Sequence, residues 1–439
     1  MEFRTRIGLG LLLSFIALTV QPGIAQEATD SDPEAPNVVN RQDGVPTETE
    51  DKTDGESAGD GEKGIDTDKP SELPPEYFEE LERRMKVFKT SRLKLEKAVG
   101  DQRIIQIRYL NREQRTPKDR EAFYEKRLEV RKLLDEVYLT ALEVLRLGAE
   151  KDSATYVVTL LQNRIKHSYY DAPTLEGAAR LLDRGLSPLL YVYQVAARSA
   201  ICVGDFEVAG RLLEAIPEEK RDQLDKTLMF HLPGYKDAFE KEIVIREKEE
   251  AEDRLPRVKL ETTQGDVIVE LFIDQAPSAV SHFISLVEKG YYDGNDFSQV
   301  IADLFALTGD PTGTGGGNSG KFLMDEHDRP DARKGLRGSL VMAKLPIGET
   351  GKFVPHSASS QFAILYLPIM SVSEEQTIFG RVIEGMENIS YLRKVDPHKE
   401  KEKGEVILPP DRITKATVIR RPEVLPEPKF MDPMQQLSR

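Results

Sequence analysis

At residue 257 the spacing of apolar residues changes from steps of three and four to steps of two, and that change divides the chain. Upstream, Tyr77, Phe78, Leu81, Met85 and Phe88 recur at helical spacing, as do Leu128, Leu134, Val137, Tyr138, Ala141, Leu142 and Leu145. Pro75 suits a first helical position and Gly148 a stop. Ser187-Pro188 reads as the N-cap and first residue of a further helix, broken at Gly204-Asp205 before Phe206. Downstream, Arg257–Thr262 and Asp266–Phe272 read as strands around the turn Thr263-Gln264-Gly265. Short apolar runs follow at 297–301, 338–343, 361–367 and 378–382. Only two helices interrupt them, Pro277–Lys289, with Val280, Phe283, Ile284 and Val287 inward, and Met386–Lys394. The pattern predicts a multidomain protein: an all-α region, then a closed antiparallel β-barrel capped by two helices.

A chain of 439 residues exceeds what one core usually organises. Residues 1–25 read as a signal peptide: Arg4 and Arg6 precede a 14-residue apolar stretch, Ile7 to Val20, and small residues end at Ala25. That stretch is short for a membrane span of about 20 residues, so cleavage before Gln26 is expected, with no span left afterwards. The expected location is extracytoplasmic, periplasmic or secreted. Residues 26–74 form an acidic linker expected to be disordered; 15 acids against 4 bases over 26–75 supply −11 of the chain's −15. The helical domain is assigned to 75–235, a charged linker helix to 236–256, the barrel domain to 257–421 and a tail to 422–439. No basic face is clustered, which argues against a nucleic-acid partner. The single cysteine, Cys202, excludes an internal disulfide, and its apolar surroundings suit a small buried side chain.

Within the helical region, Glu176-Gly177-Ala178-Ala179-Arg180-Leu181-Leu182-Asp183 resembles Glu207-Val208-Ala209-Gly210-Arg211-Leu212-Leu213-Glu214 at a period of 31. Two copies leave open a tetratricopeptide-like solenoid or an unclassified helical bundle, either one a module for a protein partner.

The downstream residues resemble a known family in five blocks that occur in its order. The first is Ala276-Pro277-Ser278-Ala279-Val280-Ser281-His282-Phe283, and the second Gly309-Asp310-Pro311-Thr312-Gly313-Thr314-Gly315. Gly338-Ser339-Leu340-Val341-Met342-Ala343, Ser359-Ser360-Gln361-Phe362-Ala363-Ile364 and Phe379-Gly380-Arg381-Val382-Ile383-Glu384-Gly385-Met386 complete the set. These are similar to the cyclophilins. The resemblance implies an eight-stranded barrel that interconverts cis and trans X-Pro bonds in proline-containing peptides or unfolded clients, with no metal, nucleotide or other cofactor. The barrier to that rotation is about 18–20 kcal/mol, because the C–N bond has partial double-bond character. As the amide twists, its nitrogen regains a lone pair, so a donor aimed there binds the transition state better than either ground state. The family supplies an arginine for this, second after the phenylalanine of a Phe-x-Arg-x-Ile block.

This chain departs from that pattern. Its block reads Phe297-Ser298-Gln299-Val300-Ile301, so Gln299 takes the arginine's place and offers a neutral, shorter donor. Leu304 and Phe305 stand where a pocket phenylalanine and methionine are usual, and Leu307 where a glutamine orients the arginine. Ala363 replaces a second pocket phenylalanine, Ser371 or Met370 falls where a tryptophan is usual, Gln376 aligns with a frequent histidine, and Met342 and Ala343 are retained. The resemblance therefore implies Gln299 and Gln361 as the groups acting on the substrate amide. Gln361 would hold a carbonyl, and Leu304, Phe305, Leu307, Met342, Ala343, Ala363, Val372 and Gln376 would line an apolar cleft. Lys344 to Ser357 forms an inserted loop beside it. A neutral donor in place of a charged one forfeits about 1.5–3 kcal/mol, so weakened turnover is expected, with a non-catalytic proline-peptide-binding scaffold as the alternative.

Three other motifs carry less. Gly315-Gly316-Gly317-Asn318-Ser319-Gly320 fits G-x-G-x-x-G but lacks the strand before and helix after that a dinucleotide needs. Asp325-Glu326-His327-Asp328 reads as a solvated loop. His356, in the inserted loop, is a candidate for tuning binding in acid.

Overall fold

The computed structural model describes residues 74–111, 116–148, 151–186, 189–348, 350–397 and 410–431. The signal-peptide reading, the acidic segment up to residue 73, Ser187-Pro188, His398 and residues 432–439 of the tail lie outside them.

Seven helices come first: α1 Pro75–Leu110, α2 Pro117–Leu147, α3 Lys151–Lys166, α4 Ala172–Asp183, α5 Leu190–Val203, α6 Phe206–Ala215 and α7 Gln223–Glu252. Their starts follow local chemistry. Thr116 closes a capping box with Asp119 at the start of α2, Asp222 does the same with Asp225 for α7, and Asp171 caps α4 through the Thr174 amide. The apolar face of α2 buries Val137, Tyr138, Ala141, Leu142 and Leu145, whereas Phe78 at the far end of α1 stays exposed. The two similar eight-residue segments lie in α4 and α6, which both pack on α5. Nothing among the described residues supplies a third copy, so the region is a helical assembly without support for a solenoid. Cys202 packs against this core, and burial pushes its thiol up to about 12, which makes it a poor nucleophile. No described helix is long and apolar enough to cross a membrane.

The charged stretch from Lys236 onward is not a separate connector. It is the second half of α7, which runs without a break past Pro233 to Glu252. Nor is it solvated all round. Glu242 and Glu249 turn inward, where Arg333 donates to both carboxylates at 2.6 Å and Arg381 bridges Glu249, at 2.9 Å, to Glu270, at 2.6 Å.

The second half holds β1 Arg257–Thr262, β2 Gly265–Leu271, α8 Pro277–Glu288, β3 Gln299–Ile301, β4 Phe305–Thr308, β5 Phe322–Leu323, β6 Ser339–Met342, β7 Phe362–Leu365, a short helix α9 Val372–Glu375, β8 Ile378–Glu384, α10 Met386–Ser390, β9 Ile413–Arg420 and β10 Phe430–Met431. Eight strands form one antiparallel sheet in the order β3-β4-β7-β6-β8-β2-β1-β9, and β5 pairs with β10 beside it. The expected closed barrel is not what forms. The sheet curls but no ladder joins β3 to β9; the segments before them meet at the Asp296–Arg412 bridge, flanked by the Gly294 amide on the Ile413 carbonyl, the Ile413 amide on the Asn295 carbonyl and the Phe297 amide on the Asp411 carbonyl. With β3 only three residues long, the last closing ladder has too few amides to build. Alternation in β1 places Val258 and Leu260 inward. Phe283 from α8 meets Phe362 and Phe379 at 5.3 Å each in the core.

Asp325 and Glu326 are not solvated. The Glu326 carboxylate accepts from the Ser278 and Ala279 amides and so caps α8, whose own N-cap, Ala276, has no side chain for the task. Asp325 takes Lys344 at 2.7 Å and the His356 amide at 2.9 Å, pinning both ends of the inserted loop.

Candidate active site

The register of three strands assembles most of the residues that the sequence singled out. Gln299 on β3 faces Leu307 on β4, Leu307 faces Ala363 on β7, and Ala363 faces Val341 on β6. Cross-strand partners share a sheet face, so Gln299, Leu307 and Ala363 form one row, with Phe305 two residues along β4 on the same face. The Gln299 side chain is 4% exposed, and its Nε2 has no hydrogen-bond partner among the described residues. Leu307 offers only methyl groups to that amide, which is why it stays uncommitted. Buried donors are almost always paired, so an unpaired one on a strand edge marks a place for an acceptor from outside.

A second group gathers on the neighbouring strand ends. The Ala343 amide donates to the Gln361 carbonyl at 3.0 Å, and both residues line a cleft with Gly316, Phe322, Ser357 and Ser359. The Gln361 side chain departs from its expected part. Its Nε2 donates to the carbonyls of Gly315 at 3.0 Å and Gly317 at 2.8 Å, which uses both amide hydrogens. It therefore has no donor left for a substrate carbonyl. What it presents is Oε1, buried and without a partner among the described residues, an acceptor suited to a peptide N–H. Gln376, just after α9, is 1% exposed and its Oε1 is likewise unpartnered. Met342 lies on β6 with its amide bonded to Thr377, and Val372 opens α9; both are buried in the sheet core. Leu304 packs half-buried at the end of the β3–β4 turn.

The glycine-rich segment is built around Asp310. Burial would push that carboxyl up, yet hydrogen bonds from the Thr312 side chain and from the Thr312, Gly317 and Gly315 amides prevail and hold it below the ordinary value. Gly309 sits at φ +93°, where a β-carbon would strike the Ser360 carbonyl, so a side chain there is excluded twice over. No helix follows the G-x-G-x-x-G string, in keeping with a turn and not a phosphate cradle.

The cleft is narrower than the sequence suggested. An open apolar groove was expected, whereas Phe305, Leu307, Met342 and Ala363 are all buried and the space beside Gln361 amounts to about 20 Å³, room for roughly one water molecule. Two determinants escaped sequence reasoning. Lys344, read only as the start of an inserted loop, is buried on Asp325 and the Glu375 carbonyl at 3.0 Å, so the loop is a fixed wall. Asp303, in the β3–β4 turn, is gripped by the helical region. Neither has a local signal, because their partners lie far away in sequence.

Comparison with known proteins places the second half of the chain in a family. A family model described as cyclophilin type peptidyl-prolyl cis-trans isomerase/CLD matches residues 257–418. The chain is 40% identical over 141 residues to peptidyl-prolyl cis-trans isomerase-like 2 of Gibberella zeae, covering 31% of this chain but only 22% of that protein. It is 33% identical over 166 residues to peptidyl-prolyl cis-trans isomerase-like 1 of the same organism, covering 38% of this chain and 96% of the relative. A crystal structure of a Cryptosporidium parvum cyclophilin type peptidyl-prolyl cis-trans isomerase, in the presence of the dipeptide Ala-Pro, is 30% identical, covers 38% of this chain and 99% of that one, and superposes with a TM-score of 0.32. Through its C-terminal sheet domain, this chain belongs to the cyclophilin-type peptidyl-prolyl cis-trans isomerase family.

Proposed function

We propose that the protein is a peptidyl-prolyl isomerase of weakened turnover, acting on X-Pro bonds of extracytoplasmic proteins. The observation that carries this is the Gln299 amide: a donor, buried, unpaired and on the face that the family uses, but neutral. A neutral amide recognises the lone pair of a twisted prolyl nitrogen less strongly than a guanidinium does, by about a factor of two in hydrogen-bond energy. Gln361 Oε1 and Gln376 Oε1, both buried acceptors without partners, suit the N–H groups of a peptide backbone. With the Lys344–Ser357 loop pinned on Asp325, access to them requires the glycine-rich loop around Gly315–Gly317 to move aside.

A second reading, a scaffold that binds proline-containing segments without catalysis, is favoured by the narrow cleft and by the committed donors of Gln361. In either case the helical region is proposed as an arm for a protein partner. Exchange NMR on a short Ala-Pro or Gly-Pro peptide separates the readings. Cis–trans exchange above background with the native chain supports the isomerase. Peptide shifts on titration without faster exchange support the scaffold, and the absence of both removes both readings.

Export is proposed from Arg4, Arg6 and the apolar run to Val20. Protein recovered from its native cells is expected to begin at Gln26 and to fractionate outside the cytoplasm; an intact Met1 start in the cytoplasmic fraction would remove the proposal.

A further inference from the structure

The hairpin that carries Gln299 is a weak piece of structure by itself. Its first strand has three residues, lies at the edge of the sheet, and pairs on its outer side only through Val300 and Val395, whose amides donate to one another's carbonyls at 2.8 and 3.0 Å. Short edge strands open easily, since few bonds must break. Yet a donor that must meet a twisted nitrogen needs placement to within about half an ångström.

The tie comes from the other half of the molecule. Asp303, at the tip of the turn joining β3 to β4, stands at φ +64°, a conformation that costs a non-glycine residue about 1 kcal/mol or more. Its backbone amide donates to Ser168 Oγ at 2.8 Å. Its carboxylate accepts from the Tyr170 hydroxyl and from Arg198 Nη1, the latter at 3.0 Å. Ser168 and Tyr170 belong to the connection between α3 and α4, and Arg198 to α5; all three are buried. Arg198 is held in turn by Asp222 at 3.1 Å and Asp225 at 3.3 Å at the start of α7. The same connection is fixed from below, where Arg337 Nη1 at 3.4 Å and the Ser390 hydroxyl at 3.2 Å both donate to the Ser168 carbonyl. A tolerated glycine position is thus occupied by an aspartate whose amide and both carboxylate oxygens are engaged by the helical region.

We infer that Asp303 is a positioning residue: through Ser168, Tyr170 and Arg198 the helical region holds the β3–β4 hairpin, and with it Gln299, in register for the prolyl amide. The helices are then part of the isomerase site, which rests on the isomerase reading above and extends it. Asp303 touches no substrate; it acts by fixing the strand that does.

The test uses the full chain with Asp303→Gly. Glycine accepts φ +64° without strain and keeps the amide bond to Ser168, so the turn and the fold are retained while the two carboxylate ties, to Tyr170 and Arg198, are lost. Amide hydrogen exchange across β3 and β4 is expected to quicken at least about tenfold, while β1 and β2 are unchanged. Turnover on the Ala-Pro peptide is expected to fall roughly three- to tenfold with KM little altered, the mark of lost placement and not lost binding. Asp303→Asn, which keeps one carbonyl acceptor and tolerates the same backbone, should recover part of both. Unchanged exchange in β3 and β4 overturns the inference, and so does quickened exchange with undiminished turnover. If the native chain proves inactive, the exchange data still decide: quickened exchange leaves the hold standing while the isomerase reading falls.

Discussion

The double variant Q299R/L307Q is expected to isomerise a short Ala-Pro peptide about 10- to 100-fold faster than the native chain. Gln299 and Leu307 are direct cross-strand partners, so whatever occupies position 299 is judged first by position 307. The present pair is self-consistent: a neutral amide beside methyl groups, buried without a charge to solvate. Replacing Gln299 alone puts a guanidinium into a site 4% exposed, with no acceptor opposite, and an uncompensated buried charge is costly. The single variant Q299R should therefore lose stability, with little gain in rate. Adding L307Q returns a carbonyl oxygen to the facing position, where it accepts one guanidinium N–H and leaves the others aimed outward. A charge-assisted donor then replaces a neutral one at the twisted nitrogen, worth about 1.5–3 kcal/mol at the transition state. Rates come from exchange NMR and stability from guanidinium melts. Should the single variant match the double in both rate and stability, the coupling between these two positions is wrong. Should neither exceed the native rate, the deficit lies in the narrow cleft and not in the donor.

The same pair shows what the sequence reveals and what it hides. Which residues replace the family's arginine and its orienting glutamine was legible, because both sit in blocks anchored by Phe297 and by Gly309, whose φ of +93° admits no side chain. The inward residues of α8, Val280, Phe283, Ile284 and Val287, were legible from spacing, and all four are buried. What was hidden depends on groups distant along the chain. Gln361 looks like a free donor until Gly315 and Gly317, more than forty residues earlier, are seen to take both its hydrogens. The segment Asp325–Asp328 looks solvated until Lys344 is found on Asp325. The open ladder of the sheet escaped because β3 ends after three residues, which strand composition does not foretell.

Arg333→Ala is expected to destabilise the protein by about 3–5 kcal/mol at pH 7, and to uncouple its two halves. Arg333 is buried against the ring of Phe272 at 3.9 Å and joins Glu242 and Glu249 of α7 to the loop before β6. Removing it leaves two carboxylates in a site built for a cation, with Arg381 able to serve only part of the deficit from 2.9 Å on Glu249. Since α7 continues the helical region and Arg381 lies on β8, this cluster is one place where the helical core and the sheet core are fastened, beside the Asp303 ties. Calorimetry of the variant should resolve two transitions. The pH dependence gives an independent check of sign. Burial alone would raise the Glu242 carboxyl, but the hydrogen bonds and charge of Arg333, aided by Arg246, hold it below its ordinary value. In the native chain this contribution is therefore fully present above the unfolded value of about 4.3 and is lost as pH falls through the lower folded value. In the variant Arg246 at 2.9 Å and Arg381 at 3.5 Å still face Glu242, but with Arg333 gone burial weighs more, so its carboxyl titrates higher than in the native chain. The stability gap between native and variant should accordingly be widest at pH 7 and narrow as pH falls through the ordinary carboxylate range. A gap below about 1 kcal/mol at pH 7, or one that widens in acid, would mean that the cluster is a solvated contact and that the halves are held by apolar packing such as that of Leu367.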